Sequence, residues 1–326
     1  MMIVAELSCS HGQSLTRALD LITAAKESGA DAVKFQTWSP DLMVGNDITL
    51  ESGAWKGWKL SDLYAKAWTP WDWLPHLIKQ CEAAEIDWLS SVFDKPALDF
   101  LEKHDCPRYK IASFEITDIP LIRAVAETGK PIIMSTGVAM AMDLEFAVGA
   151  CFREHLTILH CVSEYPARAD EYDMLRMRRL GKIFRCKVGV SDHTVGVTIP
   201  VIAAAMGADV IEKHLTLSKL RQGIGGSATE LDDDFASTPQ EFAQMSMAVN
   251  DAIGAMQICD RDTKSHQLRR SAWLKNPIKK NGALTNDDIL IARPEGGLAP
   301  RLVEYMIGKK ALKDIQAGPL LEDDFE

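Results

Sequence analysis

Short apolar runs alternate with longer amphipathic stretches along almost the whole chain. The runs read MIVAEL, DAVKFQ, IDWLSSVF, RYKIAS, PIIMST, LTILHCVS, KVGVSDH and DVIEKHLT. Their length and their flanking turn residues predict strands. Between them, Leu15 to Ser28, Trp71 to Ala84, Pro120 to Thr128, Met142 to Cys151 and Val197 to Met206 place apolar residues at helical spacing, and a last such stretch runs from Pro239 to Gly254. Gly29, Gly129 and Gly207 follow three of these stretches, where a left-handed residue commonly ends a helix. Eight strand–helix units ending near Ala255 predict an α/β fold, a (β/α)8 TIM barrel, which takes roughly 250 residues. A doubly wound open sheet fits less well, because no GxGxxG turn follows the first run.

Two segments break the rhythm. Thr37 to Ala67 is a long insertion containing tryptophans, and Leu217 to Ser237 is rich in Gly and Asp. In a barrel both would stand over the carboxyl-terminal mouth, where sites are built. Beyond Ile258 the pattern changes to a polar stretch and then to short strand-like pieces, with turns at Asn281-Gly282, Gly296-Gly297 and Ala317-Gly318-Pro319. The expected organisation is therefore a barrel over 1–258, a linker over 259–270 and a small mostly-β domain over 271–326. A unit of about 55 residues is below the size that usually folds robustly alone. It is expected to pack on another surface, such as the barrel of a second chain.

Composition narrows the function. The chain has 326 residues and a net charge of -10, which argues against a nucleic-acid backbone or an anionic membrane as partner. It leaves room for a local basic pocket that takes a phosphorylated metabolite. Seven cysteines without a CxxC pair fit a reduced, cytoplasmic protein. The start MMIVAELSCSHG lacks a basic segment and is interrupted by Glu6, so it is not expected to be a signal peptide. No apolar run has the length of a membrane span.

The strand ends carry the candidate chemistry. Side chains alternate faces along a strand. In DAVKFQ, Val33 and Phe35 must face the outer helices, which turns Lys34 and Gln36 inward. An inward lysine is costly unless an anion meets it. That anion is either an internal partner such as Glu6 or a bound ligand, and the position near the strand's carboxyl end favours the ligand. The same parity places Ser191 with His193, and Glu212 with His214. It also brings Lys110, Ser113 and Glu115 to the fourth strand's exit, and Ser135 with Thr136 to the fifth. Ser163 and Tyr165 end the sixth; Glu6, Ser8 and His11 end the first. Two lysines among hydroxyls suit a phosphate and a carboxylate together. Two histidines on adjacent strands suit one divalent metal with open positions for water and substrate. His160, mid-strand, reads as structural, and the tryptophans of the insertion read as packing groups, one of which could border the pocket. LDDDF (Leu231 to Phe235) reads as an acidic turn in which Asp233 could approach substrate.

Together VAELSCSHGQSL, AAKESGADAVKFQTW, YKIASFEITDIPLIRAVAETGKPIIMSTG, LHCVSEYPA, GVSDHTVG and GADVIEKHLTL resemble the sialic acid synthase family. NDDILIARPEGGLAP and IGKKALKDIQAG resemble that family's antifreeze-protein-like C-terminal domain. The resemblance implies condensation of phosphoenolpyruvate with an open-chain N-acylated amino sugar such as N-acetylmannosamine, giving a 2-keto sugar acid and phosphate. It implies a divalent metal, expected to be manganese or magnesium, at His193 and His214, and phosphoenolpyruvate contacts at Lys34, Lys110, Ser113, Ser135 and Ser191. Glu6, Gln36, Glu115, Tyr165 and Glu212 match positions near the reacting groups or the sugar. Either Glu6 or Glu115 could take the proton of the attacking water. The resemblance further implies a domain-swapped homodimer in which Arg293 reaches the partner's sugar. Departures fall on the sugar side: Ser10 precedes His11 where the family has Asn, Ser163 stands on the sixth strand, and the Leu217 to Ser237 loop differs. A legionaminic- or pseudaminic-type synthase, another phosphoenolpyruvate–aldose condensing enzyme and a non-catalytic sugar-binding relative are the alternatives.

Overall fold

The computed structural model describes residues 1–218, 231–257 and 264–326. Its first part is a closed barrel of eight parallel strands in sequence order, as the alternation of runs predicts. The elements are β1 (Met2–Glu6), α1 (Leu15–Glu27), β2 (Ala32–Thr37), α2 (Leu60–Ala67), α3 (Leu74–Ala83), β3 (Asp87–Val92), α4 (Lys95–Glu102), β4 (Tyr109–Ile111) and α5 (Ile119–Glu127). They continue with β5 (Ile132–Ser135), α6 (Ala141–Gly149), β6 (Leu156–Cys161), α7 (Met174–Phe184), β7 (Lys187–Asp192), α8 (Thr198–Ala205), β8 (Val210–His214) and α9 (Pro239–Met256). β8 closes on β1, with Val4 opposite Glu212 and Glu6 opposite His214.

Local chemistry sets the helix ends. Side chains of Ser14, Asp94, Asp118 and Asp173 cap α1, α4, α5 and α7, and Thr238 with Glu241 forms a capping box on α9. Gly29, Gly129 and Gly207 adopt φ of 85°, 71° and 83°, the left-handed conformation their positions after helices call for.

The barrel interior is layered. Val4, Ala32, Leu89, Ile133, Leu159 and Val210 form an apolar plug. Gly189 belongs to this level, since a Cβ there would lie 1.9 Å from the Val210 carbonyl oxygen. Two residues further along the strands, the same inward face carries Glu6, Lys34, Ser91, Lys110, Ser135, Cys161, Ser191 and Glu212, all buried. The outward face packs apolar residues such as Ile3, Val33, Ile111, Met134, Ile158, Val190 and Ile211 against the helices. The tail forms its own unit, Ile258–Glu326, apart from Met1–Gln257. It holds an antiparallel sheet ordered β10 (Ile289–Ala292), β9 (Ser271–Leu274), β11 (Gly318–Pro319), over a core that includes Ala272, Leu284, Met306 and Leu320. Among the described residues no helix is long and apolar enough to cross a membrane.

Candidate active site

The polar layer opens into one cavity at the carboxyl end of the barrel, lined among others by Lys34, Gln36, Lys110, Ser113, Ser135, Tyr165, Ser191, His193, Glu212 and His214. Strand parity brings Lys34, Gln36, Lys110, Ser135, Ser191, Glu212 and His214 together, and the segments just beyond the strands add Ser113, Tyr165 and His193. On the floor, Lys34 Nζ lies 2.5 Å from Glu6 and 3.5 Å from Glu212, and donates to Ser91 Oγ at 3.0 Å. The internal partner weighed for Lys34 is thus present. Glu6 also accepts from Gln36 at 3.0 Å and from the Ser8 amide at 2.8 Å. Burial would drive Glu212 to its neutral form, but Lys110 and Lys34 outweigh it and hold the carboxyl at about 2.

Lys110 is less well compensated. Its Nζ reaches the Ile111 carbonyl at 3.3 Å and Glu212 only at 3.9 Å, and burial pulls the ammonium below its ordinary range despite Glu212. Nearby Ser135 Oγ is buried without a hydrogen-bond partner among the described residues. An unmet buried polar group costs about 1–3 kcal/mol, so this corner of the floor is arranged for something that brings acceptors.

At the rim stand the two histidines, with ring centroids 5.5 Å apart. His193 Nδ1 faces the Val162 carbonyl at 2.7 Å, and His214 Nδ1 faces Asp232 at 3.0 Å. Both partners are acceptors, so each Nδ1 carries a hydrogen, and in the neutral ring Nε2 is the nitrogen that holds the lone pair. Such an outer acceptor typically orients a metal-binding imidazole. Among the described residues no cluster of three or more His, Cys, Asp or Glu completes a cage. A pair of this kind fits a divalent cation that keeps positions for water and substrate.

One wall is aromatic. Trp38, Trp55, Leu63 and Tyr64 of the insertion line the cavity with Phe93, so two of the tryptophans read as packing groups border the site. Trp55 packs on Tyr165 and Phe235 and donates from Nε1 to the Leu231 carbonyl at 2.9 Å. Tyr165 in turn lies against His193, with centroids 4.1 Å apart.

Other expected residues lie elsewhere. Ser163 is not in the lining; its hydroxyl lies 3.7 Å from Cys161 Sγ, and a Cβ on Gly137 would come within 2.0 Å of it. Glu115 sits just behind the lining, in the helical turn Ser113–Glu115, where burial raises its carboxyl to about 7 against the pull of Lys110 and Lys34. Asp233 accepts from Thr216 Oγ1 at 3.1 Å, while its neighbour Asp232 lines the cavity and also accepts from Cys9 Sγ at 3.1 Å. His11 leaves the site altogether. Ser8 takes φ of 40°, the chain turns outward, and His11 bonds Thr69 at 3.0 Å. His160 faces outward against Tyr172, with neither ring nitrogen hydrogen-bonded among the described residues, and burial lowers it to about 4. Arg293 belongs to the C-terminal unit and donates from Nε to the Leu268 carbonyl at 2.5 Å. Residues 219–230 of the acidic loop lie outside the described residues.

Ser91, Cys161 and Asp232 join the site without having been singled out in the sequence. Cys161 lies 3.6 Å from Ser113 Oγ. Burial pushes its thiol up, but His193 and the hydroxyls of Ser113 and Ser163 bring it down to about 7.

Comparison with known proteins places this geometry in context. The model of the NeuB family matches residues 21–259, and that of the SAF domain matches 269–326. The chain is 39% identical to a pseudaminic acid synthase of Helicobacter pylori, over 99% of this chain and 97% of that protein. It is 31% identical to an N,N'-diacetyllegionaminic acid synthase of Legionella pneumophila, over 98% and 92%. Among solved structures it is similar to the N-acetylneuraminic acid synthetase of Leptospira borgpetersenii in complex with citrate, with a TM-score of 0.70 and 28% identity, covering 82% of this chain and 88% of that one.

Proposed function

This chain belongs to the NeuB family, with a SAF domain after the barrel, and on that footing we propose that it is a nonulosonic acid synthase. It condenses phosphoenolpyruvate with an open-chain N-acylated amino sugar and releases phosphate. The observation that carries this reading is the under-compensated Lys110 beside the unpartnered Ser135 hydroxyl on a buried floor. Phosphate and carboxylate oxygens would supply the missing acceptors. Lys34, Ser113 and Ser191 extend the same cradle.

In the reaction the methylene carbon of phosphoenolpyruvate forms a bond to the sugar's aldehyde carbon, whose oxygen takes a proton. Water adds to the former enol carbon, and phosphate departs to leave the 2-keto acid. A divalent cation, manganese or magnesium, held by His193 and His214 would supply Lewis-acid polarisation of the aldehyde. The chain's own residues do the rest. Lys34 and Lys110 fix the anionic cosubstrate, and Gln36, anchored on Glu6 and Ser8, faces the sugar. Glu212, held ionised, favours the charge on Lys34 and offsets part of the burial that opposes charge on Lys110. Glu6 is committed to Lys34, whereas Glu115 exchanges its proton near neutrality, so Glu115 is assigned as the acceptor for the water's proton.

Glu115 is protonated below about 7 and ionised above it. The rate should therefore rise with pH through about 7. Glu115→Gln should lower kcat by about 10²–10⁴-fold, the usual worth of a general base, and should erase that limb of the pH profile. A limb that survives in the variant would move the role to Glu6, for which Glu6→Gln is the companion test.

The aromatic wall favours a particular sugar. Trp38, Trp55, Leu63, Tyr64 and Phe93 offer apolar contact, as the methyl groups of a di-N-acetylated 6-deoxy sugar need and the extra hydroxyls of N-acetylmannosamine do not. The pseudaminic and legionaminic acid synthases among the relatives agree with this reading. Selectivity of about 10–200-fold in kcat/KM is expected, the worth of one matched apolar group. Product masses from a panel of N-acyl sugars decide it, and equal or better use of N-acetylmannosamine would contradict it.

As a further part of the proposal, the chain forms a domain-swapped homodimer in which Arg293 reaches the sugar bound in the partner's barrel. Arg293→Ala should raise the KM for the sugar by about tenfold, near 1.4 kcal/mol, and leave phosphoenolpyruvate binding nearly intact. Equal loss of both would give Arg293 a structural role.

A further inference from the structure

The two histidine-bearing strands carry a second polar constellation on their other face. Parity that turns Ser191, His193, Glu212 and His214 inward turns Asp192 and Lys213 outward, into a layer filled mainly with apolar side chains. There Lys213 Nζ lies 2.5 Å from Asp192 Oδ2 and 2.6 Å from the Thr194 carbonyl oxygen. Asp192 Oδ1 accepts from the Thr194 amide at 2.9 Å and from its hydroxyl at 2.8 Å. The Lys213 and Asp192 side chains are 2% and 0% exposed. A buried ion pair contributes little net stability compared with apolar residues of the same size, and its best-supported use is to fix register.

The position of this pair explains what register it fixes. Asp192 opposite Lys213 is the last rung between β7 and β8. Beyond it the two histidines belong to different neighbours. The amide of His193 bonds Tyr172 Oη at 3.1 Å and its carbonyl accepts from Ala167 at 3.0 Å, both on the β6 side. His214 pairs instead with Glu6 of β1. Lys213 reaches past His193 to Thr194, and so ties the far side of one histidine to the strand that carries the other.

We propose that Asp192, Lys213 and Thr194 form a positioning clamp that sets the spacing of His193 and His214, and hence the affinity of the pair for a divalent cation. None of the three lines the cavity, so they act through the histidines. This inference rests on the metal-binding reading of His193 and His214.

Cobalt(II) serves as the probe, titrated into the metal-free full-length protein and followed by its visible absorption, without substrate. Asp192→Asn with Lys213→Met removes both charges together, so no uncompensated charge is left buried. With wild-type circular dichroism, this double variant should bind cobalt about 10–100-fold more weakly and with shifted bands, as loss of outer support typically does. Thr194→Val removes only one hydrogen bond to Asp192 and should weaken cobalt by a few-fold; it stands in if the double variant does not fold. A folded variant that binds cobalt as tightly as wild type overturns the clamp. His193→Ala with His214→Ala runs in parallel. Wild type that binds no cobalt, or binding that survives loss of both histidines, overturns the metal reading itself and the clamp with it.

Discussion

Lys110→Met is expected to lower kcat/KM for phosphoenolpyruvate by at least about 100-fold, the scale set by loss of one preorganised group at developing charge, while the melting temperature falls only modestly. The two effects have one cause. The ammonium is buried, burial already opposes its charge, and its nearest carboxylate lies 3.9 Å away. Methionine has nearly the same volume and needs no counter-charge, which offsets part of what the buried Glu212 loses with its Lys110 partner. Glu212 keeps Lys34 at 3.5 Å and Ser191 at 2.9 Å. On the proposed function, however, the variant loses the cation left available for phosphate. Kinetics and thermal melts on one preparation check both halves. A variant that melts far lower while retaining phosphoenolpyruvate affinity would make Lys110 a structural residue.

Replacing both His193 and His214 with Ala is expected to remove bound divalent metal and to reduce turnover by about 1,000-fold or more. Lewis-acid polarisation supplies several kcal/mol of transition-state stabilisation, and each 1.4 kcal/mol is about tenfold in rate. Metal analysis and phosphate-release kinetics with added manganese follow the two losses together. Because Lys34 and Lys110 lie deeper on the floor, phosphoenolpyruvate should still bind the double variant. Turnover that survives without bound metal would refute the assignment of these histidines.

Much of this site was legible in the sequence because strand parity converts residue order into facing direction. Val33 and Phe35 fix the outward face of β2, and Lys34 and Gln36 follow inward. The same arithmetic places Ser191, His193, Glu212 and His214. It fails where hydrophobicity does not distinguish the faces. In β3, Leu89 faces the plug and Val92 faces the helices, so LSSV has no readable parity and Ser91 was overlooked. Cys161 counts as apolar in any pattern, although it lies among hydroxyls in the cavity. Outside strands parity has no force. Ser8 turns left-handed and carries His11 away, and among adjacent aspartates only the loop backbone decides that Asp232, with Cys9 and His214, lines the site. Nothing in the local sequence around Asp192 and Lys213 announces that they bury each other.

On the proposed function, this barrel mouth joins phosphoenolpyruvate to an amino sugar. The most direct measurement incubates the full-length protein with manganese, phosphoenolpyruvate and N-acyl amino sugars, then counts phosphate against 2-keto acid by mass. One phosphate is expected for each keto acid three carbons longer than the sugar, and none when the sugar or the metal is withheld. Phosphate release without a sugar, or no release with any sugar, would contradict it.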